Sequence, residues 1–264
     1  MSLRLARATL RRDFLESATY KTYAVSRLIG LAGLLFSAWF VARTFAGHEP
    51  PGLSASGGYF GFLIIGVSLS DMAWALFAGP ADRVRQAQLT GTLEAELASP
   101  VPVLPWLLAQ GLFPLIGAAL RALLGATVAL ALADRLPDAD RLPGLMLACA
   151  LTLLALWPVG LLGGALTLLL KRADPIGRGL HAASMLLAGV AYPVDVLPAR
   201  LQDLAVALPT THALTALREA LFGVPAAGPL LALAAFAAVG WMLTPFAVRA
   251  LDRAARRRGA LVQY

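Results

Sequence analysis

The chain has 264 residues, of which 59% are hydrophobic and 14% charged, against about 45–50% and about 25% in soluble globular domains. No soluble core hides such an excess, so composition argues against a cytosolic enzyme, a disordered chain and a disulfide-stapled secreted module, and points to lipid as the solvent. The net charge of +7 is not a nucleic-acid footprint, because the arginines collect beside apolar runs, as in cytoplasmic loops near anionic headgroups.

The apolar runs are continuous, which argues against a β-barrel, whose strands alternate. Residues 1–22 precede the first run. There Leu3, Ala6, Leu10 and Phe14 recur at helical spacing with Arg4, Arg7 and Arg11 on the adjoining face, the pattern of an interfacial helix. This leader is Arg-rich and the run behind it is span-length with no small-residue cleavage site, so no secretory signal is expected.

At about 20 apolar residues per crossing, six spans are expected: 24–47, 57–81, 101–133, 142–170, 179–194 and 220–248. Arg27 and Arg43 sit near the ends of the first, where long side chains snorkel. The cytoplasmic segment 82–99 holds Leu89, Leu93 and Leu97 at i, i+4 and i+8. Thr92 after Gly91 is an expected N-cap, with Glu94 and Glu96 in the first turn, where the dipole favours acids. Such a helix has no lipid to cover its stripe and should present it to a partner or to neighbouring helix ends. Residues 204–217 are apolar but too short to cross and are interrupted by Pro209 and His212. They are expected to form one re-entrant or interfacial helix, tolerated at membrane depth only where packed or wet.

With both termini inside, sixteen Lys and Arg residues fall on the cytoplasmic side and five outside, with Arg121 in the third span. That bias sets the orientation. Asp71 and Arg121 are the most deeply embedded charges, and each costs about 3 kcal/mol or more near the bilayer centre unless partnered or hydrated. Two arrangements satisfy them. They pair, within a protomer or across a dimer, or Asp71 faces a pathway while Arg121 snorkels outward. His212 and Asp195 admit a proton relay or a structural, hydrogen-bonded histidine. The single Cys149 cannot form an internal disulfide. His48, His181 and His212 are scattered and suggest no metal site. The five tryptophans suit interfaces and bundle packing.

Two stretches resemble the signatures of ABC type-2 exporter permeases. GTLEAELASPV (91–101) is similar to the family's cytoplasmic signature between spans two and three. GVAYPVDVLPARLQDLAVALPTTHALTALREALFG (189–223) is similar to its second signature, carried here by Pro193, Leu197, Pro198, Leu208, Pro209, His212, Leu217 and Arg218. The resemblance spans nearly the whole chain. It implies an all-α polytopic membrane protein of six transmembrane helices forming a single transmembrane domain over 1–264. This would carry an N-terminal interfacial helix, a cytoplasmic coupling helix within 82–99 and extracytoplasmic re-entrant helices over 194–221. It also implies two copies of a separate ABC ATPase subunit, which bind ATP and Mg, and a second permease copy. Leu89, Gly91, Thr92, Leu93, Glu94, Glu96 and Leu97 would then make the ATPase contact, with Glu94 either touching the partner or only offsetting the dipole. The location implied is the bacterial inner membrane.

The residues support a two-component system. A P-loop needs G-x-x-x-x-G-K-[ST], and the only lysines, Lys21 and Lys171, follow Tyr20 and Leu170. The leading expectation is therefore an ATP-driven exporter of a hydrophobic small molecule, drug or lipid, with no cofactor or metal of its own and no nucleic-acid partner. Export of a lipid-linked polysaccharide is the alternative. An ion-gradient transporter would need repeated halves, and a membrane enzyme a nucleophile–base pair or acidic cluster; neither is evident.

Overall fold

A computed structural model of the protein describes residues 3–19, 21–44, 58–132, 138–170 and 175–257. Ten α-helices and no strand occur among the described residues: α1 (Leu3–Thr19), α2 (Lys21–Thr44), α3 (Gly58–Leu89), α4 (Leu93–Leu97), α5 (Val103–Leu132), α6 (Leu142–Leu170), α7 (Pro175–Leu187), α8 (Ala199–Val206), α9 (Pro209–Phe222) and α10 (Ala227–Arg257). Four of these, α3, α5, α6 and α10, are long and apolar enough to cross a membrane. The chain is thus an all-α polytopic membrane protein.

The count of six crossings is not reached among the described residues. The expected fifth span becomes α7, which has 13 residues and rises only about 20 Å against a hydrocarbon core of about 30 Å. It ends at Leu187 because the chain then turns through Gly189 at φ +83°. The expected first span corresponds to α2, whose 24 residues include many side chains outside the described set. Several residues that carried the charge bias, Arg135, Lys171, Arg172 and Arg258, also lie outside it. So do His48 and the side chains of Lys21 and Arg27.

Other boundaries shift for local reasons. Helix α3 continues eight residues beyond Ala81, to Leu89. Residues 204–217 are not one helix but parts of α8 and α9, broken at Ala207 and Leu208. Pro209 at the first turn of α9 removes an amide that needs no partner there. The last long helix starts at Ala227 rather than near 220. Gly223 at φ +77° closes α9 with a left-handed C-cap, and Pro225 follows, a pairing typical of helix ends.

Helix α3 is the spine, packing against α5, α6, α7 and α9. Its contact with α6 is backbone on backbone: a Cβ on Gly160 would lie 1.8 Å from the Leu76 carbonyl oxygen. Each of the four long helices contains one proline beyond its first turn, Pro80, Pro114, Pro158 or Pro245. Three of them face a neighbour's glycine. Pro80 lies against Gly111 and Gly164, Pro114 against Gly79, and Pro158 against Gly240. The small residues leave room for the rings and allow the close approach that drives helix association in lipid.

Two buried clusters stack along this spine. One joins Ile65, Leu69, Phe77, Leu156, Leu214 and Leu233. The other joins Val84, Leu93, Trp106, Leu107, Leu161 and Val248. The second cluster therefore gathers α4, the first turns of α5 and the later part of α10 at one end of the bundle.

Candidate functional site

At that end, α3 stops and α4 begins through a tight turn. The amides of Thr90, Gly91 and Thr92 return to the carbonyls of Gln86, Gln88 and Ala87. Gly91 sits at φ +72° with nothing within 4 Å of a would-be Cβ, so the turn needs glycine for its backbone conformation rather than for space. Thr92 occupies the N-cap position, but its backbone is right-handed helical and its side chain caps nothing; capping needs an extended residue. Its Oγ1 instead lies 3.1 Å from Thr90 Oγ1 and 3.4 Å from Glu96 Oε1.

The expected leucine stripe is divided. Leu93 is 1% exposed and packs in the second core cluster, with Leu97 partly buried beside it. Leu89 is 72% exposed, because Gly91 breaks the helix and the i, i+4, i+8 register does not run through it. Leu89, Thr90, Gly91, Thr92 and Glu94 thus form an exposed tip whose inner side is anchored by Leu93.

The two acids of α4 separate in the same way. Glu94 is exposed. Glu96 Oε2 accepts hydrogen bonds from Trp106 Nε1 at 2.9 Å and Gln110 Nε2 at 2.7 Å, and its Oε1 lies 3.4 Å from Arg12 Nη1. Arg12 Nη2 also donates to Gln110 Oε1 at 2.8 Å. Next to it the fully buried carboxylate of Asp13 pairs with Arg83 at 3.0 Å and with Arg12 at 3.0 Å. One polar cluster therefore ties α1, α3, α4 and α5 together. In α1 the buried residues are Thr9 and Asp13, while Leu3 and Phe14 are exposed. The helix is anchored to the protein through its polar side, and its apolar stripe borders an open groove beside α5.

Along α3, Asp71, Trp74 and Asp82 share a face, since eleven residues make close to three turns. Asp71 Oδ2 accepts from Arg121 Nε at 3.0 Å and Nη2 at 2.9 Å, so the two embedded charges pair within one chain. Asp82 pairs with Arg178 of α7 at 3.0 Å. The Arg178 guanidinium lies 5.7 Å from the Trp74 ring centre and the His181 ring 5.0 Å from it. The Asp71 side chain remains 41% exposed and those of Asp82 and Arg178 49%. Charged side chains so placed face water or protein rather than acyl chains.

At the opposite end Arg218 of α9 donates to backbone carbonyls, Gly189 at 2.9 Å, Phe62 at 3.0 Å and Val190 at 3.5 Å. Its guanidinium carbon lies 3.4 Å from the Phe62 ring centre. A Cβ on Gly66 would fall 2.1 Å from the Val190 oxygen, so glycine lets residues 188–190 lie on α3 where Arg218 reaches them. Pro193 and Pro198 precede a short 3-10 turn and α8 respectively. His212 Nε2 lies 2.8 Å from the Val206 carbonyl, which makes it a staple of the α8–α9 turn. Asp195 is on that 3-10 turn, where its backbone carbonyl accepts from Gln202 Nε2 at 3.2 Å, and His212 is engaged by Val206 instead.

Arg12, Asp13, Arg83 and Gln110 escaped the sequence reading as a cluster. The signal available was Asp13, an acid within an Arg-rich leader, and Gln110, an amide inside an apolar span. A family model described as "ABC-2 type transporter" matches residues 4–222. Among curated proteins no match was found.

Proposed function

The chain belongs to the ABC-2 type transporter family, and on that premise we propose that it is the permease subunit of an ATP-driven exporter, moved by a separate ATPase subunit. The observation that carries this reading is the two-sided α3–α4 tip. Its outer side, Leu89 to Thr92 with Glu94, is exposed, while its inner side is held by Leu93 and Glu96. A force on the outer side would therefore reach α1, α3 and α5 together. In this reading the tip seats on the ATPase, which binds ATP and Mg, and the end of the bundle bearing α4 is cytoplasmic, as are both termini. Two permease copies and two ATPase copies form the complex in a bacterial inner membrane.

The pathway runs along the face of α3 that α5 and α7 flank, where the Asp71–Arg121 and Asp82–Arg178 ion pairs and Trp74 line a partly exposed strip. Such a surface suits an amphiphile, with its polar head on the charged strip and its apolar body on the walls, and so favours a hydrophobic small molecule, drug or lipid. The test is reconstitution with the cognate ATPase. Glu94→Arg should leave the complex folded and its ATP hydrolysis present while transport falls at least tenfold. Undiminished transport by that variant would refute the tip assignment. Uphill transport by the purified permease alone, driven by a proton or sodium gradient, would refute the exporter reading itself.

A further inference from the structure

Helix α1 is held to the bundle along one side only. Asp13 meets Arg83, and Arg12 meets Gln110. On its other side Leu10 and Phe14 face Phe113 and Ile116 of α5 across an open groove of about 560 Å³, with Arg7 and Arg11 also lining it. Phe14 is 64% exposed and Ile116 43%, and the same α5 wall continues through the exposed Leu120 and Leu123. Among the described residues no acidic side chain pairs with Arg7 or Arg11.

We infer that this groove is a binding site for an anionic phospholipid, with one acyl chain between α1 and α5 and its phosphate on Arg7 and Arg11. An apolar trough beside two unpaired guanidinium groups matches a molecule with a long hydrocarbon tail and a net negative head. A zwitterionic lipid leaves the arginine charge uncompensated. A second copy of the chain fits poorly, because a two-fold contact at this groove would bring Arg7 and Arg11 toward their own counterparts. The Asp13 and Arg12 contacts hold α1 in place, so the groove exists before lipid enters it. The inference goes beyond the exporter reading and does not depend on ATP coupling.

The test uses the full chain in nanodiscs, with Cys149→Ser and a bimane label on Ile116→Cys. Dibrominated phosphatidylglycerol should quench the label at a lower mole fraction than dibrominated phosphatidylcholine does. Arg7→Gln and Arg11→Gln should each raise that fraction about fivefold, as expected from loss of one basic residue at an anionic surface. Arg200→Gln, in α8, should leave it unchanged. Equal quenching by the two lipids, or indifference to both arginine substitutions, would mean ordinary annular lipid and overturn the site. Absence of quenching by either lipid would mean that another molecule covers the groove, with the same consequence. Because the label occupies the groove, native mass spectrometry of the unlabelled protein gives a second measure. Phosphatidylglycerol should survive delipidation on the parent chain and be lost from the Arg7→Gln/Arg11→Gln variant, whereas equal retention on both would also reject the proposal. Neither measurement involves nucleotide or transport, so the two proposals can fail separately.

Discussion

The two ends of the bundle solve the problem of a buried charge in different ways. Around α4, charged and polar side chains satisfy one another: Asp13 with Arg83 and Arg12, and Glu96 with Trp106 and Gln110. At the far end the two Nη groups of Arg218 are met by main-chain carbonyls of Phe62, Gly189 and Val190 and its guanidinium by an aromatic face, while its buried Nε has no hydrogen-bond partner. Side chains have rotamers and can exchange partners, so the first arrangement suits a region that receives and passes on movement. Carbonyls move only with the backbone, so the second suits a fixed staple that holds the α9 hairpin and residues 188–190 on α3.

The contrast predicts a graded set of outcomes. The largest concerns the staple. Arg218→Ala strands at least two carbonyls in a partly buried site and should lower stability by about 3 kcal/mol in SDS-titration unfolding. Arg218→Lys should restore less than half of that, because a point charge cannot reach several carbonyls at once. A loss below about 1 kcal/mol for Arg218→Ala would remove the distinction between the two ends.

Next comes the cluster at α1. Asp13→Ala leaves Arg83 without its buried partner and should cost about 2 kcal/mol, while the double variant with Arg83→Ala should cost clearly less than the sum of the singles. Additive losses would show that the cluster does not act as a unit. For the pair within the membrane, Asp71→Asn and Arg121→Gln should each cost about 1 kcal/mol, again less than additively, since Asp71 remains accessible to water. Unchanged expression, stability and transport in both variants would deprive the pair of any role.

The smallest effect separates two acids only two residues apart. Glu96→Ala should lower stability by about 1 kcal/mol through the lost Trp106 and Gln110 hydrogen bonds. Glu94→Arg should leave the unfolding midpoint where it was, as an exposed substitution does. Equal shifts would contradict the inward and outward division of α4.

Part of this arrangement is legible in the residue order. The bounds of α6, Leu142–Leu170, coincide with those expected, because an uncharged apolar run between polar flanks is a local property. Thr92 was legible as the residue before α4, since Gly91 marks the turn. That its hydroxyl caps nothing was not, because the outcome depends on a backbone angle set by the turn as a whole. The start of α10 was legible in Gly223 and Pro225 and was nonetheless expected too early, hydropathy outweighing the stop signal. Leu89 could not be placed outward from spacing alone, as its helix ends two residues before Gly91.

The residue sequence by itself determined that this chain dissolves in lipid, that its long elements are helices and that its prolines and glycines punctuate them. Those properties depend on composition and on neighbours within a few residues. Tertiary structure alone decided that Asp71 meets Arg121, that Asp13 meets Arg83 and that Arg218 reaches the carbonyls of residues 189 and 190. Each of the first two contacts joins separate helices across fifty residues or more, and the third joins α9 to α3 and a distant turn. The α3–α5 approach that brings Asp71 to Arg121 has Gly79 against Pro114 and Gly111 against Pro80, and the third contact depends on Gly66, which leaves the space that residue 190 occupies on α3.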